Sequence, residues 1–249
     1  STSSLGCMRI YTGTQHPHPQ EDAMSSFRTS ARSSLRGALL AAALLFSSAA
    51  FAGPPLLCHP FDIGGAASLP WGKGWNVPDR RYDTTHLTAD TMGLLGAQVP
   101  VIARMETLRR AAIYASADGT KLRGLAATLD ARVMAAKTPQ SKSFALFDAG
   151  YFVETLQDIE RLQGYDMPGI GEVDVAALGG VLAKGDGSLR IAEALTLRAD
   201  DASMRFAAAL VSAADERKGD YNTHVRLARA GIAGDALLAR NIDQVAANY

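Results

Sequence analysis

The chain has 249 residues, with 25 basic side chains against 25 acidic ones and 47% apolar residues. This balance argues against wholesale disorder and lacks the basic excess that drives sequence-independent binding to phosphate backbones. Two cysteines are too few for a disulfide scaffold, and no stretch approaches the roughly 20 uninterrupted apolar residues of a membrane-spanning helix.

Taken from the N-terminus, residues 1–23 have no core-forming pattern and read as an over-extended, disordered lead. His16 and His18 therefore do not read as metal ligands. Residues 24–52 read as a secretory signal peptide. Arg28, Arg32 and Arg36 form a positive region without an acid, Ala38 to Phe46 is an apolar run, and Ala50-Phe51-Ala52 supplies the small-x-small cleavage pattern. The run is too short to span a bilayer. The expectation is export, to the periplasm or the medium, with a mature chain starting at Gly53. That chain has 197 residues, 21 bases and 23 acids, and Cys58 is its one cysteine. Pro55-Leu56-Leu57-Cys58 lacks the small residues of a lipoprotein anchor.

Residues 53–83 carry prolines and glycines at short intervals and show no helical period. Their apolar content, from Leu56 to Trp75, is too high for a linker. The expectation is an extended strap packed along the body. Residues 84–249 are read as a helical domain. Thr88 to Ala97 forms a first helix. Val101, Met105, Leu108 and Ala112 line one face of the next, which Gly119 breaks. Leu122, Leu125, Leu129 and Val133 repeat the pattern. Phe144, Phe147, Tyr151, Phe152, Leu156 and Ile159 form the most aromatic stripe and read as core. Helices over Val173–Lys184, Ser188–Arg198, Asp201–Arg217, Asp220–Ala230 and Gly234–Ala247 complete the chain, with Asp201 and Asp220 placed as N-caps. Asp118-Gly119 and Asp186-Gly187 read as turns. The fold class is all-α, as stacked antiparallel helix pairs of solenoid-like kind; the alternative is an irregular helical bundle.

Leu57-Cys58-His59-Pro60-Phe61-Asp62-Ile63-Gly64, Ser68-Leu69-Pro70-Trp71, Arg104 to Ala111, Ala145 to Tyr151 and Met204 to Leu210 together resemble an uncharacterised family of exported bacterial proteins. The resemblance implies a tetratricopeptide-like helical architecture and an exported location, and brings no activity with it. The large aromatic residue that opens each tetratricopeptide unit is mostly absent.

The residues that chemistry would use are few. Cys58 with His86 or His224 is the one arrangement that would give a nucleophile, as a Cys-dependent hydrolase or transferase. Its competitor is a small apolar residue docked under the helices. Cys58-His59 lacks the first cysteine of a haem-attachment motif, and His59, His86 and His224 lie too far apart in sequence for a zinc pattern. No phosphate-binding or calcium loop is present, so neither a cofactor nor a metal is expected. Asp215-Glu216 reads as a solvated face and Glu106–Arg110 as an ordinary surface pair. The arginines of that ridge have a second reading, in which they pair with buried acids and fix how helices stack. Trp71 and Trp75 either pin the strap or line a binding groove. The functional expectation is a scaffold that binds a protein or peptide partner.

Overall fold

The computed structural model describes residues 56–58, 60–74, 76–164 and 170–245. The lead and signal-peptide readings fall outside these residues, as do His59 and Trp75. Among the described residues there are nine α-helices: α1 (Leu87–Gly93), α2 (Val101–Ala115), α3 (Gly119–Ala135), α4 (Pro139–Arg161), α5 (Val175–Leu182), α6 (Gly187–Leu197), α7 (Ala202–Ala214), α8 (Lys218–Ala230) and α9 (Ala236–Asn241). Single 3₁₀ turns occur at Leu56–Cys58, Thr84–His86, Ile232–Gly234 and Ile242–Gln244. An isolated bridge between Trp71 and Pro78 is the one extended pairing among these residues. The all-α expectation therefore holds, and no described helix is long and apolar enough to cross a membrane.

Short polar side chains decide where the helices begin, because the first N–H groups of a helix have no partner within it. Asp118, Asp174, Asp186, Asp201 and Asp235 each accept backbone N–H groups from the first turns of α3, α5, α6, α7 and α9. Thr138 and Ser141 cap α4 reciprocally, with Pro139 at its first position, where a missing N–H costs nothing. Several boundaries move from their sequence reading for this reason. Asp118-Gly119 and Asp186-Gly187 are helix starts rather than separate turns, since each aspartate captures two N–H groups ahead of it. Asp220 is not a cap: α8 begins two residues earlier, and Asp220 lies inside its first turn. The predicted first helix stops at Gly93 and is followed by turns, and the predicted last helix is divided between a short α-helix and 3₁₀ turns.

The long helix α4 is the axis of the molecule. It touches α2, α3, α5, α6 and α7, and α2 also reaches α7. These contacts spread more widely than the neighbour-only contacts of a repeat stack. Phe147, Tyr151, Phe152, Leu156 and Ile159 are all buried, so the aromatic stripe is core as expected. In α2 only Arg110 and Tyr114 escape full burial. The backbones of α4 and α6 approach closely: a Cβ added to Gly150 would lie 2.7 Å from the Gly187 carbonyl oxygen. Backbone blocks that methyl group, so the helices would have to separate. Gly150→Ala is expected to lower the unfolding free energy by about 1–3 kcal/mol, as overpacking does. A denaturant titration with an unchanged midpoint would refute this.

Candidate functional site

A non-helical segment buried against helices carries backbone N–H and C=O groups that need partners. Here charged side chains of α2 and α4 supply them. Glu106 Oε2 accepts the Phe61 N–H at 3.1 Å, and Asp158 accepts the N–H groups of Leu56 and Leu57. Arg109 Nη1 donates to the Leu57 carbonyl at 3.3 Å and to Asn76 Oδ1 at 3.2 Å. Arg110 Nη1 donates to the Leu69 carbonyl at 2.6 Å. Glu106 is itself bonded by Arg109 at 2.9 Å and Arg110 at 2.7 Å. Burial pushes its carboxyl up, but the two guanidiniums outweigh burial and hold it below the usual range. The expected surface pair is thus a buried cluster, with Glu106 only 1% exposed and Arg109 fully enclosed. The correction follows from α2 being covered on nearly every side.

A second array lies further toward the start of α2. Arg104 Nη1 and Arg132 Nη1 both reach Asp148 Oδ2, at 2.7 and 3.1 Å. Their other nitrogens donate to carbonyls of the loop before α2: Arg104 to Gly96 and Val99, Arg132 to Leu95. Phe144 lies between the guanidiniums of Arg104 and Arg198, at 4.2 and 4.6 Å from its ring centre. Burial pushes Asp148 up to about 6 despite both partners. Since Arg104 and Asp148 are fully enclosed, removing either leaves a buried charge poorly compensated. Asp148→Leu and Arg104→Met are each expected to cost about 3–5 kcal/mol. The double variant should cost clearly less than their sum in a double-mutant cycle, whereas additive losses would show the pair is not coupled.

Beyond Tyr151 the apolar stripe of α4 runs into two acids, Glu154 and Asp158. Glu154 is 1% exposed, and neither carboxylate oxygen has a hydrogen-bond partner. It lies against Gly187, the first residue of α6. Burial pushes it up to about 8, reinforced by Asp215, Asp186 and Asp158, with Arg161 opposing. Asp158 is pushed up to about 7, again chiefly by burial. Arg161 is committed elsewhere: it bonds Asp158 at 3.3 Å and Asp215 at 2.6 Å. Arg217 also holds Asp215, at 3.2 Å, so Asp215 is an ion-pair hub rather than the solvated face expected of Asp215-Glu216.

The residues singled out from sequence are dispersed. Cys58 is buried in its 3₁₀ turn and disulfide-bonded in the full chain; the chain's other cysteine, Cys7, lies outside the described residues. Sulfur in that state is not a nucleophile. His86 is on the surface, its Nε2 3.8 Å from Asp83 Oδ2. Trp71 packs edge-on against Tyr114 at 5.6 Å, with the guanidiniums of Arg109 and Arg110 over its ring at 5.3 and 5.4 Å. His224 lines a small open indentation of about 30 Å³ between α6, α7 and α8, together with Ser188, Ile191, Ala208, Ser212 and Arg217. Its Nδ1 is 3.5 Å from Arg205 Nη1. Burial lowers its pKa, Arg205 and Arg217 add to that, and Asp220 opposes. A base with a depressed folded pKa contributes stability above its unfolded value of about 6.5 and loses it as pH falls through the folded value. His224→Asn is therefore expected to lose less stability than the wild type between pH 7 and pH 5 in thermal melts. Parallel losses would show that the ring is not desolvated.

No group of three or more His, Cys, Asp or Glu among the described residues is placed to hold a metal ion. No family model matches the chain, and neither does any curated protein or solved structure. What the geometry defines is a class: an all-helical body that clasps a non-helical segment through buried charges. Sequence reasoning missed Arg132, Asp148, Glu154 and Asp158. Their signal was available in part, since Phe147, Tyr151, Glu154 and Asp158 follow one another at spacings of four, three and four, which puts acids at core positions of a helix.

Proposed function

We propose that this chain is an exported helical scaffold that binds an extended peptide or an unstructured stretch of a protein partner, in the periplasm. The observation that carries the reading is the mode in which α2 and α4 hold the backbone of Leu56, Leu57, Phe61 and Leu69. Carboxylates accept main-chain N–H groups and guanidiniums donate to main-chain carbonyls. That is recognition of peptide backbone, and a helical body equipped for it in one place has the chemistry to do it for a partner. The open indentation between α6, α7 and α8 is the place for the partner, since it combines apolar walls with Ser188, Ser212, Arg217 and His224. Main-chain contacts of this sort supply affinity, and side-chain pockets supply specificity. The signal-peptide pattern of residues 24–52 supports export. The tetratricopeptide-like resemblance supports a binding role by analogy of fold alone.

The chain purified from the periplasm of a Gram-negative host is expected to enrich a recurrent pattern from a displayed library of unstructured peptides. Its dissociation constant should fall in the micromolar range, and Ser188→Trp, which fills the indentation, should weaken binding at least tenfold. No enrichment, or binding indifferent to Ser188→Trp, would count against this reading.

A further inference from the structure

We propose that Glu154 is a proton-operated latch on α6. With its proton, the carboxyl lets the start of α6 rest on α4. Without it, that end of α6 lifts, and the indentation between α6, α7 and α8 widens to admit a peptide side chain. The widening rests on the peptide-binding reading above, whereas the latch does not.

Three observations carry the latch. The first is the enclosure of Glu154, which is 1% exposed and has no hydrogen-bond partner on either oxygen. The groups that face it are mostly of its own sign. Asp158 comes from α4, Asp186 from the residue ahead of α6 and Asp215 from the end of α7, with Arg161 of α4 opposing them. Arg161 is bonded to Asp158 and Asp215, and Arg217 holds Asp215. An ionised carboxylate without a donor is costly in such a place, and burial accordingly pushes Glu154 up to about 8.

The second is how α6 is held. A Cβ on Gly187 would meet the Gly150 carbonyl oxygen and, at 2.7 Å, Glu154 Oε1, so water reaches the carboxylate only if the two backbones part. The far end of α6 is pinned to α4: Ser143 Oγ donates to the Ala194 carbonyl at 2.9 Å, and Arg198 lies over the Phe144 ring. At the near end, Asp186 caps α6 itself and does not tie it to α4. The pair of Arg190 with Asp130 of α3 is partly exposed and reached through a long side chain. The start of α6 is therefore the end that can lift.

The third is that α6 is shared. Ser188, next after Gly187, lines the indentation together with Ile191, Ala192 and Leu195. Its volume of about 30 Å³ has room for about two waters, so a peptide side chain enters only when α6 moves. A carboxyl whose folded pKa is raised contributes stability below its unfolded value of about 4.3 and loses it as pH rises through the folded value. The start of α6 therefore loosens between about pH 7 and pH 9. His224, whose pKa is lowered from 6.5, is already neutral in that range.

The test uses the whole chain and reads hydrogen exchange as protection factors, which remove the intrinsic pH dependence of exchange. Protection of α6 is expected to fall about tenfold between pH 7 and pH 9, while that of α2 changes by less than about threefold. Glu154→Gln keeps the neutral shape of the protonated acid, and its α6 should stay equally protected at both pH values. Glu154→Leu makes the same comparison without a polar atom. An N-acetylated peptide from the displayed library, free of groups that titrate in this range, is expected to bind the wild type about tenfold more tightly at pH 9 than at pH 7. Both variants should bind it equally at the two. Wild-type α6 protection that is flat across the range, or that falls equally in both variants, would overturn the latch. Binding indifferent to pH while protection falls would overturn the widening and leave the peptide reading standing. A library without any binder would overturn the peptide reading, with the exchange result still deciding the latch.

Discussion

The structure depends on the pairing of buried charges on α2 and α4 with the backbone of the residues that precede the helices. A segment such as 56–76 cannot satisfy its own N–H and C=O groups, because the helices occupy one side of it and its prolines and glycines prevent regular pairing. Left dry and unpaired, each such group would cost more than its neighbours' apolar burial returns. Glu106, Arg109, Arg110 and Asp158 remove that penalty, and in doing so they are themselves compensated. Neither partner is stable in place without the other: the segment needs the charges, and the charges need the segment's dipoles.

The same logic organises the rest of the core. Arg104 and Arg132 clasp Asp148 and also satisfy carbonyls in the loop between α1 and α2. Side chains that are ordinarily placed on surfaces therefore sit at the centre of this molecule, and the apolar residues pack around them. Such arrays contribute less to net stability than their short distances suggest, because desolvation offsets much of the attraction. What they supply is geometry, since a planar guanidinium holding a carboxylate and a carbonyl together leaves little freedom in how the surrounding elements sit.

Against that background Glu154 is the exception. Every other buried acid of α4 is met by arginine or by backbone N–H groups, whereas Glu154 has neither. It also lies at the tight junction of α4 and α6, where Gly150 and Gly187 let the backbones approach. The region combines close packing with an uncompensated acid.

The sequence by itself determined the helical class, most helix positions and the aromatic core of α4, because these follow from local periodicity and from caps one to three residues away. The placement of Asp201 ahead of α7 and the burial of Phe147, Tyr151 and Phe152 are of this kind. Only the tertiary structure decided that Glu106, Arg104, Asp148 and Asp158 are interior. Their partners lie tens of residues away in sequence, and a charged residue reads as surface until something covers it. The physical reason is that periodicity reports which face of a helix is apolar, whereas burial of a charge depends on a partner that folding brings from elsewhere in the chain.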